Sequence, residues 1–249
     1  MELGLDGRVA LVTGGARGIG AAISLELARQ GCSIAIVDIS PAEAANDLAN
    51  RIGEHGGKSV ILQSDVSDFS QAEKCVESVL NDLGSLDIMV CNAGINRDGV
   101  IWKMTEEVWD EVLDINLKGC FNFCSAAAKV FREQGHGKIV NVASINGLRG
   151  KFGQSNYSAS KGGIIALTKA VAAELGRYDV NVNAIAPGMV MTDMATDLPQ
   201  EFLDQAIDES VLDRVAAPED IAHLVAFLCS EFARHITGEV IKIDGGQYI

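Results

Sequence analysis

Short apolar, β-branched runs alternate with longer amphipathic stretches along the whole chain, and no other feature narrows the fold as much. The runs are Val9-Ala-Leu-Val-Thr13, Ser33-Ile-Ala-Ile-Val-Asp38, Ser59-Val-Ile-Leu-Gln63, Asp87-Ile-Met-Val-Cys91, Lys138-Ile-Val-Asn-Val142, Val180-Asn-Val-Asn-Ala184 and Glu239-Val-Ile-Lys-Ile243. Several are continuously apolar, as strands covered on both faces must be. Helices are expected between them, near 18–31, 41–55, 68–83, 105–134, 155–177 and 218–230. Pro41 and Pro218 stand where two of these would start, because the fixed proline φ suits a first helical turn. Strand and helix in alternation wind a parallel sheet through right-handed crossovers. The expectation is therefore one α/β domain over 1–249, a doubly wound parallel sheet of about seven strands with helices on both faces. The segment 187–217 interrupts the pattern and is expected to be a lid, since excursions of that length are usually functional.

Several function classes recede on composition. No stretch approaches the roughly 20 uninterrupted apolar residues of a membrane span. The N-terminal Met1–Arg8 segment lacks the basic start and apolar run of a signal peptide, so a cytoplasmic location is expected. A net charge of −14 disfavours nucleic acid and anionic membrane surfaces, which need clustered Lys and Arg. A small-molecule substrate, which feels only its local pocket, is not disfavoured. The six cysteines (Cys32, Cys75, Cys91, Cys120, Cys124, Cys229) contain no C-x-x-C pair, and the four histidines are scattered. Cys120 and Cys124, four apart on an expected helix, read as small buried apolar residues, and no metal site is expected.

The first strand runs into Thr13-Gly-Gly-Ala-Arg-Gly-Ile-Gly20 and then a helix. A tight glycine turn there (Gly14, Gly18, Gly20, with Arg17 and Ile19) brings backbone up to a pyrophosphate at the positive end of the helix. Asp38 ends the second strand 18 residues after Gly20, followed by Ile39. A carboxylate there can bind both hydroxyls of an adenosine ribose and repels a 2′-phosphate. Arg17 could instead attract that phosphate; the carboxylate outweighs it, and NAD is expected over NADP. Asp65 and Val66 after the third strand, and Asn92, Ala93 and Gly94 after the fourth, continue one crevice along the strand ends.

Ser144 follows the fifth strand, Tyr157 comes 13 residues later, and Lys161 four beyond that. Helical spacing of i and i+4 puts the ammonium near the phenol. A free tyrosine, with a pKa of about 10, is a poor base at neutral pH, and a nearby cation favours the phenolate. Ser144 can hold a substrate oxygen against the Tyr157 hydroxyl, which makes a proton-transfer device beside a nucleotide crevice.

Taken together, Thr13-Gly-x-x-x-Gly-x-Gly20, Asn92-Ala-Gly94, Asn116, Ser144, Tyr157-x-x-x-Lys161 and Pro187-Gly188 resemble the short-chain dehydrogenase/reductase family over essentially the whole chain. The resemblance implies a Rossmann-type domain, usually a homotetramer (a homodimer otherwise), that moves hydride between nicotinamide and a carbinol carbon. It implies that Asn116 holds a water relaying protons through Lys161, and that Tyr157 and Lys161 also meet the nicotinamide ribose. It further implies that Thr192 reaches the carboxamide, with Ile95, Pro187, Gly188 and Val190 near the ring. Cys91 stands where the family commonly has a second Asn. Within the family the chain is most similar to 3-oxoacyl-acyl-carrier-protein reductases, through Asn92–Asp98, Gly153–Tyr157, Ala186–Gly188, Thr192–Met194, Ile236–Glu239 and Asp244–Gly246.

For the substrate, Met189, Met191, Met194, Leu198 and Phe202 offer an adaptable apolar wall. Asn146, Arg149, Lys151 and Gln154 line the loop between Ser144 and Tyr157, and Arg149 or Lys151 could take a carboxylate or CoA phosphate. The leading expectation is a 3-hydroxyacyl/3-oxoacyl thioester. Beside it stand a secondary-alcohol, polyol or sugar dehydrogenase, and a non-catalytic nucleotide-binding subunit.

Overall fold

A computed structural model of the chain describes residues 3–192 and 200–249. Seven parallel strands form one sheet in the order β3-β2-β1-β4-β5-β6-β7. They are β1 (Val9–Thr13), β2 (Ser33–Asp38), β3 (Ser59–Gln63), β4 (Ile88–Cys91), β5 (Gly137–Val142), β6 (Val180–Pro187) and β7 (Val240–Ile243). The helices are α1 (Gly18–Arg29), α2 (Asn46–Glu54), α3 (Phe69–Leu83), α4 (Glu106–Val112), α5 (Gly119–Gln134), α6 (Asn146–Arg149), α7 (Ser155–Leu175), α8 (Gln200–Glu209) and α9 (Pro218–Cys229).

Successive strand residues point to opposite faces, so each continuous apolar run supplies two cores. Ala10, Val12, Ile34 and Ile36 pack with Ile23 and Leu27 of α1, Ile52 of α2 and Ile221 and Val225 of α9. Leu11, Ala35, Val37 and Met89 face the other way, onto Val76 and Val79 of α3, Phe123 and Phe131 of α5 and Ile164 of α7. Fully buried side chains such as Leu27 and Phe123 each contribute about 1.5–3 kcal/mol through removal from water. The second core also gathers Cys91, Cys120 and Cys124. Helix spacing pairs the latter two; only strand-on-helix packing adds Cys91.

Two helices differ in form from expectation. Pro41 precedes a 3-10 turn, Ala42–Ala45, and the α-helix begins only at Asn46. The stretch expected as one helix over 105–134 is helical throughout, capped by Thr105, whose hydroxyl accepts from Val108 N–H. Its middle, however, widens into a π-helix at Leu113–Lys118. Wide turns of this kind re-aim side chains and gather at functional sites; Asn116 lies inside this one. The described part of 187–217 contains ordered structure. Its stem is a short ladder in which Met191 N–H donates to the Ala216 carbonyl and Ala216 N–H to that of Met189. Helix α8 lies beyond it, seated through Leu203 and Ala206. Met194 and Leu198 fall outside the described residues.

Candidate active site

The strand order reverses direction between β1 and β4, and there the helices following the two strands diverge to opposite faces, which opens a crevice at the carboxyl edge. The glycine turn flanks it on one side and Asn92–Gly94 on the other. The two are tied together. Thr13 Oγ1 accepts from the N–H groups of Asn92 and Ala93 at 3.0 and 3.1 Å. The Asn92 amide in turn donates to the carbonyls of Thr13 and Gly14, each at 3.0 Å. The Asn92 side chain thus fixes the turn.

The turn needs its glycines at two places. Gly14 has φ +59°, the left-handed region. A Cβ on Gly20 would come within 2.0 Å of the Gly14 carbonyl oxygen, so backbone closure there excludes every side chain. Arg17 precedes α1, is exposed, and has no side-chain ion pair or hydrogen bond among the described residues. Ile19 is half-buried against the core under the turn. Asp38 is buried. Its Oδ2 accepts from Ala16 N–H of the glycine turn at 3.2 Å and its Oδ1 from Ser40 N–H at 3.0 Å. Each oxygen keeps a second lone pair, so the carboxylate can still accept from a ribose diol. Ile39 beside it is 61% exposed, an apolar surface left open at the crevice rim.

Asp65 is turned on itself, with Oδ1 accepting from Ser67 N–H and Oγ. Val66 is buried against Gly119 of α5. On the lid stem, Gly188 and Met189 are half-buried and Val190 is buried. Thr192 lies over the glycine turn, its methyl 3.4 Å from where a Gly18 Cβ would stand. The residues therefore fit a dinucleotide: a closed glycine cradle at a helix start, a carboxylate at the end of β2, and a lid stem above.

Beyond β5, Ser144 is buried, and its Oγ accepts from Asn146 N–H at 3.2 Å. Tyr157 and Lys161 project from α7 as their spacing requires, with the ammonium 5.6 Å from the phenol ring centroid. Lys161 Nζ donates to the Val142 carbonyl at 2.8 Å. It also stands 3.5 Å from where a Cβ on Gly94 would be, so Gly94 leaves the space in which Nζ reaches the crevice. Burial dominates both titrations. It lowers Lys161 to about 8. It raises Tyr157 above its ordinary value, with the Ser144 hydroxyl opposing and the Asp98 carboxylate adding to the rise. Desolvation is the largest cause at both groups, and it disfavours the charged form of each.

The Asn116 amide is fully engaged as a donor. It gives one N–H to the Ile95 carbonyl and one to Ser160 Oγ, while its oxygen accepts from Ile95 N–H at 2.8 Å. Ser160 Oγ donates onward to the Tyr157 carbonyl. The side chain is thus a brace between the crevice and α7, and its oxygen keeps a second lone pair. Arg149 is engaged with the protein rather than simply solvated. Its guanidinium donates to Asn146 Oδ1, to the Gln247 carbonyl and to Glu209 of α8 at 3.1 Å. With three partners it joins α8 and the C-terminal segment to the loop between Ser144 and Tyr157. Lys151 is exposed. Asn146 and Gln154 are linked at 2.9 Å, and Gln154 donates on to Asp98 at 3.2 Å.

Two participants carry no advance signal of their own in the sequence. Asp98 stands in the Asn92–Asp98 stretch, yet only folding brings it to Tyr157. Gln247 accepts from Met189 N–H and donates to the Ala206 carbonyl, which fixes stem and helix of the lid together. Among the described residues no helix is long and apolar enough to cross a membrane.

Residues 14–247 match the family model described as enoyl-(acyl carrier protein) reductase. The chain is 41% identical over 240 residues to the 3-oxoacyl-[acyl-carrier-protein] reductase of Staphylococcus aureus, covering 96% of this chain and 98% of that one. It is 40% identical to the Thermotoga maritima protein of the same description, covering 98% and 99%. Against nodulation protein G of Azospirillum brasilense it is 42% identical, covering 96% and 97%. Among solved structures, a Sinorhizobium meliloti protein described as a short-chain alcohol dehydrogenase superposes with a TM-score of 0.94 at 33% identity, covering 99% of this chain and 98% of that one.

Proposed function

The chain belongs to the short-chain dehydrogenase/reductase family and acts on CH–OH or keto groups, and from that premise we propose an NAD-linked enzyme that interconverts a 3-hydroxyacyl and a 3-oxoacyl thioester. The observation that carries the chemistry is the meeting of Ser144, Tyr157 and Lys161 beside the glycine cradle. The thioester draws support from the reductases that share about two-fifths of the sequence along its whole length.

In this reading the N–H groups of the Gly14–Gly20 turn bind the pyrophosphate, and Asp38 accepts from the adenosine ribose hydroxyls. Ile39, Asp65 and Val66 border the adenine; Ala93, Gly94, Pro187, Gly188, Val190 and Thr192 border the nicotinamide end. When bound, the nicotinamide supplies the carbon that takes or gives the hydride. Ser144 Oγ donates to the substrate oxygen and fixes it against the phenol. In ketone reduction, the Tyr157 hydroxyl passes its proton to that oxygen; in alcohol oxidation, the phenolate removes it. Lys161 Nζ, steadied by the Val142 carbonyl, binds the nicotinamide ribose and presents positive charge to the phenolate. Asn116, braced between Ile95 and Ser160, holds a water that relays protons through Lys161 in this reading. Asn146, Gln154 and Met189 shape the substrate side, with Arg149 holding the lid. A homodimer or homotetramer in the cytoplasm completes the reading, supported by the half-exposed Phe69 and Phe121 rings, 6.1 Å apart on α3 and α5.

A secondary-alcohol dehydrogenase is the second reading. The engagement of Arg149 favours it, since a CoA phosphate would lose that partner. NAD-linked oxidation of 3-hydroxyacyl-CoAs, cyclic alcohols and polyols separates the two: turnover of neutral alcohols alone removes the thioester.

Cofactor choice has its own test. The wild-type kcat/KM is expected to be higher with NADH than with NADPH. Asp38→Ser should narrow the ratio by about 10- to 100-fold, the equivalent of one charge-assisted hydrogen bond lost and a repulsion relieved. Equal wild-type use of both cofactors would defeat the assignment to NAD.

A further inference from the structure

We propose that Cys91, Cys120 and Cys124 form a buried three-thiolate site for a soft monovalent cation of the Cu(I) class. Their three Sγ atoms all lie within 4.8 Å of one another, with Cys91 and Cys124 at 3.8 Å. All three side chains are 5% exposed or less. Cys120 and Cys124 share one face of α5, and Cys91 ends β4 opposite them, so two rigid elements set the spacing.

That spacing is the one a metal needs. With metal–sulfur bonds of about 2.3 Å, trigonal thiolates stand ~4.0 Å apart and tetrahedral ones ~3.8 Å. One pair already satisfies this, and the widest needs to close by less than ~1 Å. The donor count selects among metals. Zn(II) takes four ligands in closed structural sites. The oxygens that accept from these sulfurs are neutral: Asn141 Oδ1, 3.4 Å from Cys124 Sγ and already receiving that thiol's hydrogen bond, and the Cys120 carbonyl, 3.8 Å from Cys91 Sγ. Three sulfurs without a fourth strong donor, in an apolar surround, suit a soft d10 ion instead. Binding exchanges thiol protons for the cation: each sulfur that joins the metal loses its proton to solvent, and no electron is transferred. The proposal is independent of substrate and of cofactor choice. The three thiols are not themselves proton-transfer groups, but Cys120 lies close enough to Lys161 for their charges to interact, and Cys91 directly precedes Asn92, which clamps the glycine turn.

The test is anaerobic titration of the reduced full-length chain with Cu(I) against bicinchoninate as competing chelator, followed by X-ray absorption at the copper edge. One Cu(I) per chain is expected, with three sulfurs at about 2.2–2.3 Å. Cys91→Ala and Cys124→Ala, checked for folding by circular dichroism and melting, should each weaken uptake at least ~100-fold. If either fails to fold, the Cys32→Ser/Cys75→Ser/Cys229→Ser protein decides, and it should bind as tightly as the wild type. No uptake against the chelator, uptake lost with the other three cysteines, two-coordinate sulfur, or preferential four-coordinate Zn(II) would each overturn the proposal.

Discussion

Tyr157→Phe is expected to lower kcat by about 10²–10⁴-fold in either direction of the reaction, the range that one positioned acid/base supplies. The substitution removes a single oxygen, and no hydrogen bond that braces the fold ends on it: the backbone N–H of Tyr157 is held by Asn156 Oδ1 and its carbonyl by Ser160 Oγ. The melting temperature should therefore stay close to wild type, and dinucleotide affinity should change by only a few fold. Burial holds the phenol above its ordinary pKa, and the neighbouring Asp98 carboxylate adds to that. Alcohol oxidation needs the phenolate, so its rate should climb with pH into the alkaline range, whereas ketone reduction, which needs the phenol, should not. Stopped-flow single turnovers isolate this step from product release. A variant that keeps a tenth or more of wild-type single-turnover rate would remove Tyr157 from the role.

What the sequence discloses and what it hides divide along the range of the interactions involved. Strands β1 and β2 begin and end where the apolar runs do, because burial on both faces leaves an uninterrupted local signature, and the half-buried edge strand β3 does so too. Strand β6 runs on through Ile185-Ala-Pro187, since β7 pairs with it up to Pro187. The π-turn at Leu113–Lys118 is hidden in a continuous helical pattern: one widened turn barely disturbs the periodicity of 30 residues, yet it sets Asn116 against Ile95 and Ser160. The site follows the same rule. Tyr157 and Lys161 are legible from an i, i+4 interval, and the glycine turn from its own few residues. The partners of Arg149, Glu209 and Gln247, lie 60 and 98 positions away, beyond the reach of local spacing. Cys91 looks like a tolerated strand-end residue until packing sets it beside a thiol 33 positions on. Local spacing names the candidate residues, and long-range pairing decides which remain free to act.

Lys161→Met should abolish most activity and, in the unliganded protein at neutral pH, raise stability. The lysine is 4% exposed, and burial brings its pKa down to about 8 from an ordinary 10.5. Below pH 8 the ammonium is charged in both folded and unfolded chains, and the folded state carries the full desolvation penalty, about 3 kcal/mol for a shift of this size. Between pH 8 and 10.5 the unfolded chain binds more protons than the folded one, so wild-type stability should rise with pH through that window. Methionine fills similar space without the charge, so the variant should show no such rise. Against this gain stands the hydrogen bond to the Val142 carbonyl, worth about 1–2 kcal/mol, which the substitution removes. The balance predicts a variant ~1–2 kcal/mol more stable than wild type at pH 7, with the advantage shrinking or reversing by pH 10. Urea unfolding at both pH values measures it. A variant less stable at pH 7, with a difference that does not depend on pH, would mean that the ammonium is already compensated in the free chain. If the prediction holds, the folded chain keeps a destabilising charge at the one place where a phenolate and a ribose would need it, and ligand binding rather than folding supplies its partners.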